Sequence, residues 1–512
     1  MPIVHLFLGF LFLQAPKPAS IAGLAANAAT GSPVRKARLT LQSIDHNYAA
    51  VSDASGRFAV AEVAPGTYNI RTECDGFQVT AQSLKIAEDQ HITDLAIRLV
   101  PLGVIAGKVV DENGEPLSQI SVEAQVDTFS AAGRKRLPSG IATTDDRGEY
   151  RIFDLPPGRY FVMAANPRSY SLLGGHVHAD ALEMAYVSTW FPNVTDASQA
   201  SAQVLAPGAE LDGVDLHMHK QRVFHVRGHV QLPPGQRGAV DVVPCGGESG
   251  IGINTAILKD GAFDAAGLIP GNWCLMVNQV MDNTHAFYAS QSVTIAEHDV
   301  NNVNLTLTPA AVIRGQILVD GAAPAKLPHM PIRLDPVEQP GRGAGTAPSE
   351  DGSFVLENVA PAQYRLMNLN LSGMYLKAIR LNGQDVANGI IQVPQGGAQM
   401  TLLFSTDPGE AGGTVEGGGN FVSAESASSL TSMPAISGVT PEGKFQFRNL
   451  PPGEYKMLAW ETNNFGLVQY ADLRKLFDSR AVPVTIHPKG RESVQLKVVT
   501  AAEIEAALAR LQ

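Results

Sequence analysis

The chain has 512 residues, 45% of them hydrophobic, which excludes wholesale disorder and suggests several domains at roughly 150 residues each. Its 38 basic and 49 acidic residues give a net charge of −11. That balance lacks the basic surplus a polyanion binder needs, so nucleic acid is not an expected partner. Glycine and proline, 49 and 33 residues, are too few for collagen and suit a chain with many turns.

At the N-terminus, Ile3 to Leu13 is apolar except for His5 and Gly9. This run is shorter than the ~18–20 residues of a membrane-spanning helix. Residues 1–15 read as a signal peptide ending at Ala15, although no Lys or Arg precedes the run and Pro16 follows it; the other reading is an apolar first strand. Export to the periplasm, the outer cell surface or the medium is expected, with no transmembrane helix in the mature chain.

A repeat then organises the rest of the sequence. Five times a glycine is followed by an aromatic residue at plus two, a proline at plus nine and Tyr or Trp at plus twelve. The framing residues are Gly56 and Tyr68, Gly148 and Tyr160, Gly261 and Trp273, Gly352 and Tyr364, and Gly443 and Tyr455. The glycine suits a turn that demands positive φ. The aromatic and the residue two later share one face of a strand. The Pro-containing turn then leads into a second strand opened by the Tyr or Trp. Each unit also begins with a strand centred on Gly23, Gly107, Gly228, Gly315 or Gly412-Gly413. Alternating segments such as Leu95 to Leu99, Val214 to Met218 and Val303 to Leu307 close the units.

About seven short strands per ~90 residues predict a β-sandwich of immunoglobulin-like size. The expected fold class is all-β: five tandem immunoglobulin-like or transthyretin-like sandwiches in an elongated rod or curved string. The expected boundaries are 20–100, 101–220, 221–309 (the most degenerate copy), 310–405 and 406–500. A short C-terminal helix over 501–512 follows, with Ile504, Leu508 and Leu511 on one face.

The second unit carries a long insertion around Asn166 to Pro207, a place where binding function tends to sit. Tyr186, Trp190 and Phe191 within it are candidates for stacking on a sugar ring, or for capping one end of the sandwich. Trp460 is a further carbohydrate-binding candidate, whereas Trp273 stands at a repeat core position. Cys245 and Cys274 fall within one unit and could pair; the commoner use of an odd count of three, with Cys74, is as small buried residues.

The unit resembles the carboxypeptidase regulatory-like domain, a transthyretin-like sandwich. The matching residues are Gly107-Lys-Val-Val-Asp111-Glu-Asn-Gly114-Glu-Pro116, then Asp145-x-x-Gly148-x-Tyr150, then Pro157-Gly158-x-Tyr160. The whole chain also resembles large secreted proteins of soil bacteria built from such repeats. That likeness rests on Tyr186-x-x-x-Trp190-Phe-Pro192, Gln384-Asp385-Val386, Pro452-Gly453-Glu-Tyr455 and Leu458-Ala459-Trp460-Glu461. It covers Ser20 to Val499. It implies a non-catalytic accessory domain, with carbohydrate binding as a role suggested by fold analogy.

The histidines include neither His-x-x-Glu nor His-Glu-x-x-His, and no Gly-x-Ser-x-Gly elbow occurs. The pairs His176 and His178, and His217 and His219, each share a strand face if extended, with Asp180, His225 and His229 nearby in sequence. Solvent-facing polar positions are the favoured reading, and no metal or other cofactor is expected. Asp145-Asp146 is read as a turn in preference to a calcium site. The sequence thus points to a non-enzymatic exported protein, monomeric, that binds or scaffolds at the cell envelope. Its partner would be a glycan or another envelope protein. An accessory subunit of an envelope enzyme or transporter is the alternative, and a hydrolase with an unrecognised site a more distant one.

Overall fold

The computed structural model describes residues 17–131, 133–166, 184–245, 252–281, 286–321, 330–337, 343–367, 371, 373–426, 430–431 and 433–511. The signal-peptide reading of residues 1–15, and His176, His178 and Asp180, lie outside the described residues. Strands dominate throughout. Among the described residues no helix is long and apolar enough to cross a membrane.

One pairing scheme recurs along the chain. In the first repeat unit (module 1, the later ones numbered in chain order) the strand Ala19–Asn27 runs antiparallel to Arg57–Val63 and parallel to the closing strand His91–Leu99. A second sheet, built from Arg38–Gln42, Asn47–Val51, Gly66–Glu73 and Thr80–Ile86, faces it. The same three-strand arrangement is centred on Gly103–Val110, Phe224–Val230, Ala311–Asp320 and Gly409–Glu416 in modules 2 to 5. Among the described residues each repeat has an apolar cluster of its own between its strands.

The repeat residues build these sandwiches in a uniform way. The turn glycines Gly56, Gly148, Gly261, Gly352 and Gly443 all have φ between 72° and 89°, a region costly for any side chain. The aromatic two residues on is buried in every copy, as in Phe58 and Phe354, each 4% exposed. In modules 1, 3 and 4 its ring lies across the central glycine of the first strand: a Cβ on Gly315 would sit 2.0 Å from the Phe354 ring.

The Tyr or Trp at plus twelve fastens the proline turn. Tyr68 Oη donates to the Ala64 carbonyl (2.8 Å), Tyr160 to Pro156 (2.6 Å), Tyr364 to Ala360 (2.9 Å) and Tyr455 to Pro451 (2.8 Å). In module 3 the indole N–H of Trp273 donates to the Ile269 carbonyl (2.9 Å), so the substitution keeps the bond. Each donor reaches back four residues, satisfying a buried polar tip locally. Burial pushes the hydroxyl of Tyr364 up to about 12.

Modules 2 and 5 depart from the plain sandwich. Module 2 adds short strands Thr189–Trp190 and Gln203–Leu205 to the sheet holding Gly158–Ala165. In module 5 the strand Gly453–Trp460 also pairs with Arg491–Val499, joining both sheets into one seven-stranded sheet. Three short helical turns, Phe465–Gln469, Ala471–Leu476 and Asp478–Arg480, cross its outer face. The expected C-terminal helix forms over Ala501–Leu508, opened by a capping box between Thr500 and Glu503. Ile504 is buried, and Leu508 and Leu511 pack beside it.

Successive modules touch. Ala185, Val187 and Val223 form a small cluster with Ile269 between modules 2 and 3. Tyr288 Oη donates to the Asn358 carbonyl (2.9 Å) between modules 3 and 4. The Gly373 N–H donates to Asn449 Oδ1 (3.0 Å) between modules 4 and 5. Module 2 also meets module 5, through Arg134 and Leu511, so in place of the expected elongated array modules 2 to 5 curve back on themselves.

Candidate functional site

The aromatic residues expected to stack on sugars are only partly available. Trp190 is 2% exposed and Trp460 0%, so neither offers a ring face to a ligand. Both expectations are corrected by the same physical cause, a second layer over one sheet of the sandwich. Tyr186 and Phe191 are half-buried and pack against the module 2 core. Lys220 Nζ stands 5.0 Å from the Tyr186 ring centroid.

In module 2 the second layer consists of residues around Trp190, Val194, Ala197, Ala200 and Ala202, which cover Phe161, Met163 and Ala165. Arg136 runs through it. Its guanidinium lies 3.6 Å from the Phe161 ring centroid and 5.6 Å from that of Trp190. Its Nε donates to Asp127 (3.0 Å), and Nη1 to the Ala197 carbonyl (2.5 Å). The arginine thus ties the sheet to its cover, with its charge matched and its donors directed.

Module 5 solves the same problem with helices. Trp460 lies beneath them, edge-on to Phe477 (5.6 Å), and its indole N–H donates to Ser423 Oγ (2.8 Å). Arg474 is 2% exposed. It grips Glu425 through Nε (2.9 Å) and Nη2 (3.1 Å), while Nη1 donates to the carbonyls of Val468 and Gln469. Arg480 joins the helical turns to the C-terminal helix through Glu503 (2.7 Å) and to the strand Arg491–Val499 through the Val498 carbonyl (2.8 Å). No sequence pattern identified either buried arginine; continuous apolar runs after Tyr160 and Tyr455 were the available signal for the covered sheets.

Several of the polar candidates serve the fold. His217 and His219 are exposed, and His229 bonds the Asp260 carbonyl. His225 is buried, with Nδ1 2.7 Å from Asp264; Arg227 bridges Asp264 (3.0 Å) and Asp299 (2.7 Å) beside it. Among the described residues no three His, Cys, Asp or Glu side chains group as a metal site. Asp145 Oδ1 accepts from the N–H groups of Arg147 (2.9 Å) and Glu149 (2.8 Å), closing a turn. Asp53 and Asp111 act alike. Such bonds hold these carboxyls below their usual range, through Ser55 first for Asp53 and the N–H four residues on for Asp111 and Asp145.

Cys245 and Cys274 are joined in a disulfide, which resolves the alternative left open by their spacing. Cys74 is free, half-buried, and its thiol is pushed up chiefly by burial.

Concave surface lies at module junctions. A cleft of ≈ 1330 Å³ opens between modules 4 and 5, lined by residues that include Tyr375, Lys377, Thr431, Lys444, Tyr455 and Arg491. A smaller cavity of ≈ 400 Å³ lies where the module 2 hairpin, Ser121–Ser130 with Gly133–Thr143, meets the module 5 cap. There the Phe129 and Tyr470 rings are 5.2 Å apart, and Arg134 Nη1 donates to the Leu511 carbonyl (3.3 Å).

The carboxypeptidase regulatory-like domain occurs twice in this chain, at residues 20–100 and 104–176. These two regulatory-like domains correspond to modules 1 and 2. No curated protein matches the chain. Among solved structures, the Bacillus anthracis TIE protein is 12% identical with a TM-score of 0.18, covering 56% of this chain and 51% of its own. The chain therefore spans about half the length of that protein. The minor pilin GBS52 of Streptococcus agalactiae is 13% identical, TM-score 0.23, over 40% of this chain and 96% of its own. A Bacteroides ovatus protein described as a putative adhesin is 10% identical, TM-score 0.22, over 38% of this chain and 88% of its own. At these TM-scores the likeness carries nothing about role.

Proposed function

We propose that this chain is a non-enzymatic exported protein that binds or scaffolds another envelope component through an array of rigid sandwich modules. The observation that carries this reading is the fate of the recurring polar residues. The five repeated Tyr and Trp donors fasten their own turns, and the recurring aspartates close theirs. What the repeat preserves is therefore a shape, not a reacting group. The Cys245–Cys274 disulfide supports an oxidising compartment, which fits export.

We infer an envelope protein as the partner in preference to a glycan, because Trp190 and Trp460 are enclosed. Several modules engaging one assembly would add avidity. The test is retention of envelope fractions and a polysaccharide panel on the immobilised full chain. Saturable retention of an envelope protein is expected. Retention of a polysaccharide alone, or turnover of a bound component, would overturn the reading.

A further inference from the structure

The contact between modules 2 and 5 joins residues as far apart in sequence as Arg134 and Leu511, a separation of 377. Phe129 leaves the end of its hairpin and packs into the apolar cluster of the module 5 cap, beside Leu467 and Tyr470. One residue shows that the sequence provides for this approach. Gly466 sits in the first turn of the helix Phe465–Gln469, with its N–H capped by Asn464 Oδ1 (3.0 Å). Its backbone is helical, so conformation does not require glycine, and glycine weakens a helix relative to alanine. A Cβ there would lie 2.0 Å from the Phe129 carbonyl oxygen. That atom belongs to the backbone and cannot turn aside as a flexible side chain would. The helix thus carries a poorer helix former where the hairpin enters.

We infer that the module 2 hairpin and the module 5 cap form an intramolecular clasp, closing modules 2 to 5 into a loop that opens and recloses. The seam is suited to reversal. A cavity of ≈ 400 Å³ lies along it beside the Phe129 and Tyr470 rings, so part of the apolar seam is left unpacked. Both sides remain folded when it opens, because Phe161 and Trp190 on one side and Trp460 on the other are held by their own arginine-tied layers. Opening bares Phe129, Leu467 and Tyr470 together.

The clasp is tested on the full chain by measuring distances between spin labels at Lys135→Cys, next to Arg134, and Glu505→Cys, on the lining of the seam cavity, two exposed positions, in a Cys74→Ser background. A narrow, short-distance population is expected. Gly466→Ala should lower the closed-to-open ratio by about tenfold, the size of a one-methyl overpacking cost, while the melting of module 5 stays unchanged or rises. Phe129→Ser, made on the other side of the seam, should open it as well and decides the matter if Gly466→Ala unfolds the cap. A wild-type distribution lacking the short component would overturn the clasp. So would an unchanged distribution in both variants.

Discussion

Modules 1 and 5 place the same repeat in two different surroundings. In module 1 the strand after the proline turn, Gly66–Glu73, alternates between buried and exposed from Tyr68 to Thr72. It is a half-wet strand of a two-layer sandwich. In module 5 the equivalent strand, Gly453–Trp460, is buried at its last four positions. Module 2 is extreme, with Tyr160 to Ala165 buried without interruption. The repeat therefore determines the sandwich, while the insertions determine whether an outer face stays wet. Where a face is covered, a buried arginine ties cover to sheet, Arg136 in one case and Arg474 in the other.

The sharpest way to break this comparison is at the fifth residue after the repeat tyrosine. Trp460→Ala should cost about 3–5 kcal/mol, as large-to-small changes at fully buried aromatics do. Glu73, its counterpart in module 1, pairs with Arg71 in water, and Glu73→Ala should stay within about 0.5 kcal/mol. Hydrogen exchange resolved by module measures both, and equal effects would refute the two-layer distinction.

Arg474→Ala should cost about 2 kcal/mol, since it strands two carbonyls and releases a carboxylate that still reaches water. Limited proteolysis should then cut within 464–480 before any other part of module 5. At the turn-fastening position the two kinds of module should behave alike: Tyr68→Phe and Tyr455→Phe each remove one local hydrogen bond worth about 1 kcal/mol. A cost confined to one module would show that the bond is not the shared element.

The smallest effect is acid sensitivity of the module 5 cap. The Thr500 backbone N–H first, then Arg480, hold the Glu503 carboxyl down from 4.5 to about 2. Its ionised form is favoured in the folded state, so its contribution is complete above the unfolded value and disappears as pH falls from 4.5 to about 2. Amide exchange over Ala501–Leu508 should accelerate across that interval while the module 1 strand Arg38–Gln42, away from the Asp53 turn, stays protected.

The five-fold pattern was legible because its causes are local. A positive-φ glycine, an aromatic two residues later and a tyrosine bonded four residues back involve neighbours in sequence. The covers were not, because Trp190 meets Arg136 and Trp460 meets Phe477 only after the sheets have formed. A lone tryptophan reads equally well as a binding platform or a buried wedge. The pairing of Cys245 with Cys274 stayed open for a similar reason, since spacing does not reveal which strands lie side by side. The left-handed residues Glu62, Asp154 and Asn358, which stand beside the ladder irregularities at Val63, Leu155 and Val359, carry no compositional mark.

The parallel pairing of first and closing strands has a mechanical consequence. A module whose terminal strands run the same way is entered at one end and left at the other. Tension along the chain therefore slides those strands past each other rather than peeling them apart. In module 4 the ladder from Ile313 to Asp320 bears such a load across its whole length at once, so its evenly spaced bonds must fail together. In module 2 the closing strand is divided into Glu210–Leu211 and Leu216–His217, so that module should yield first under tension.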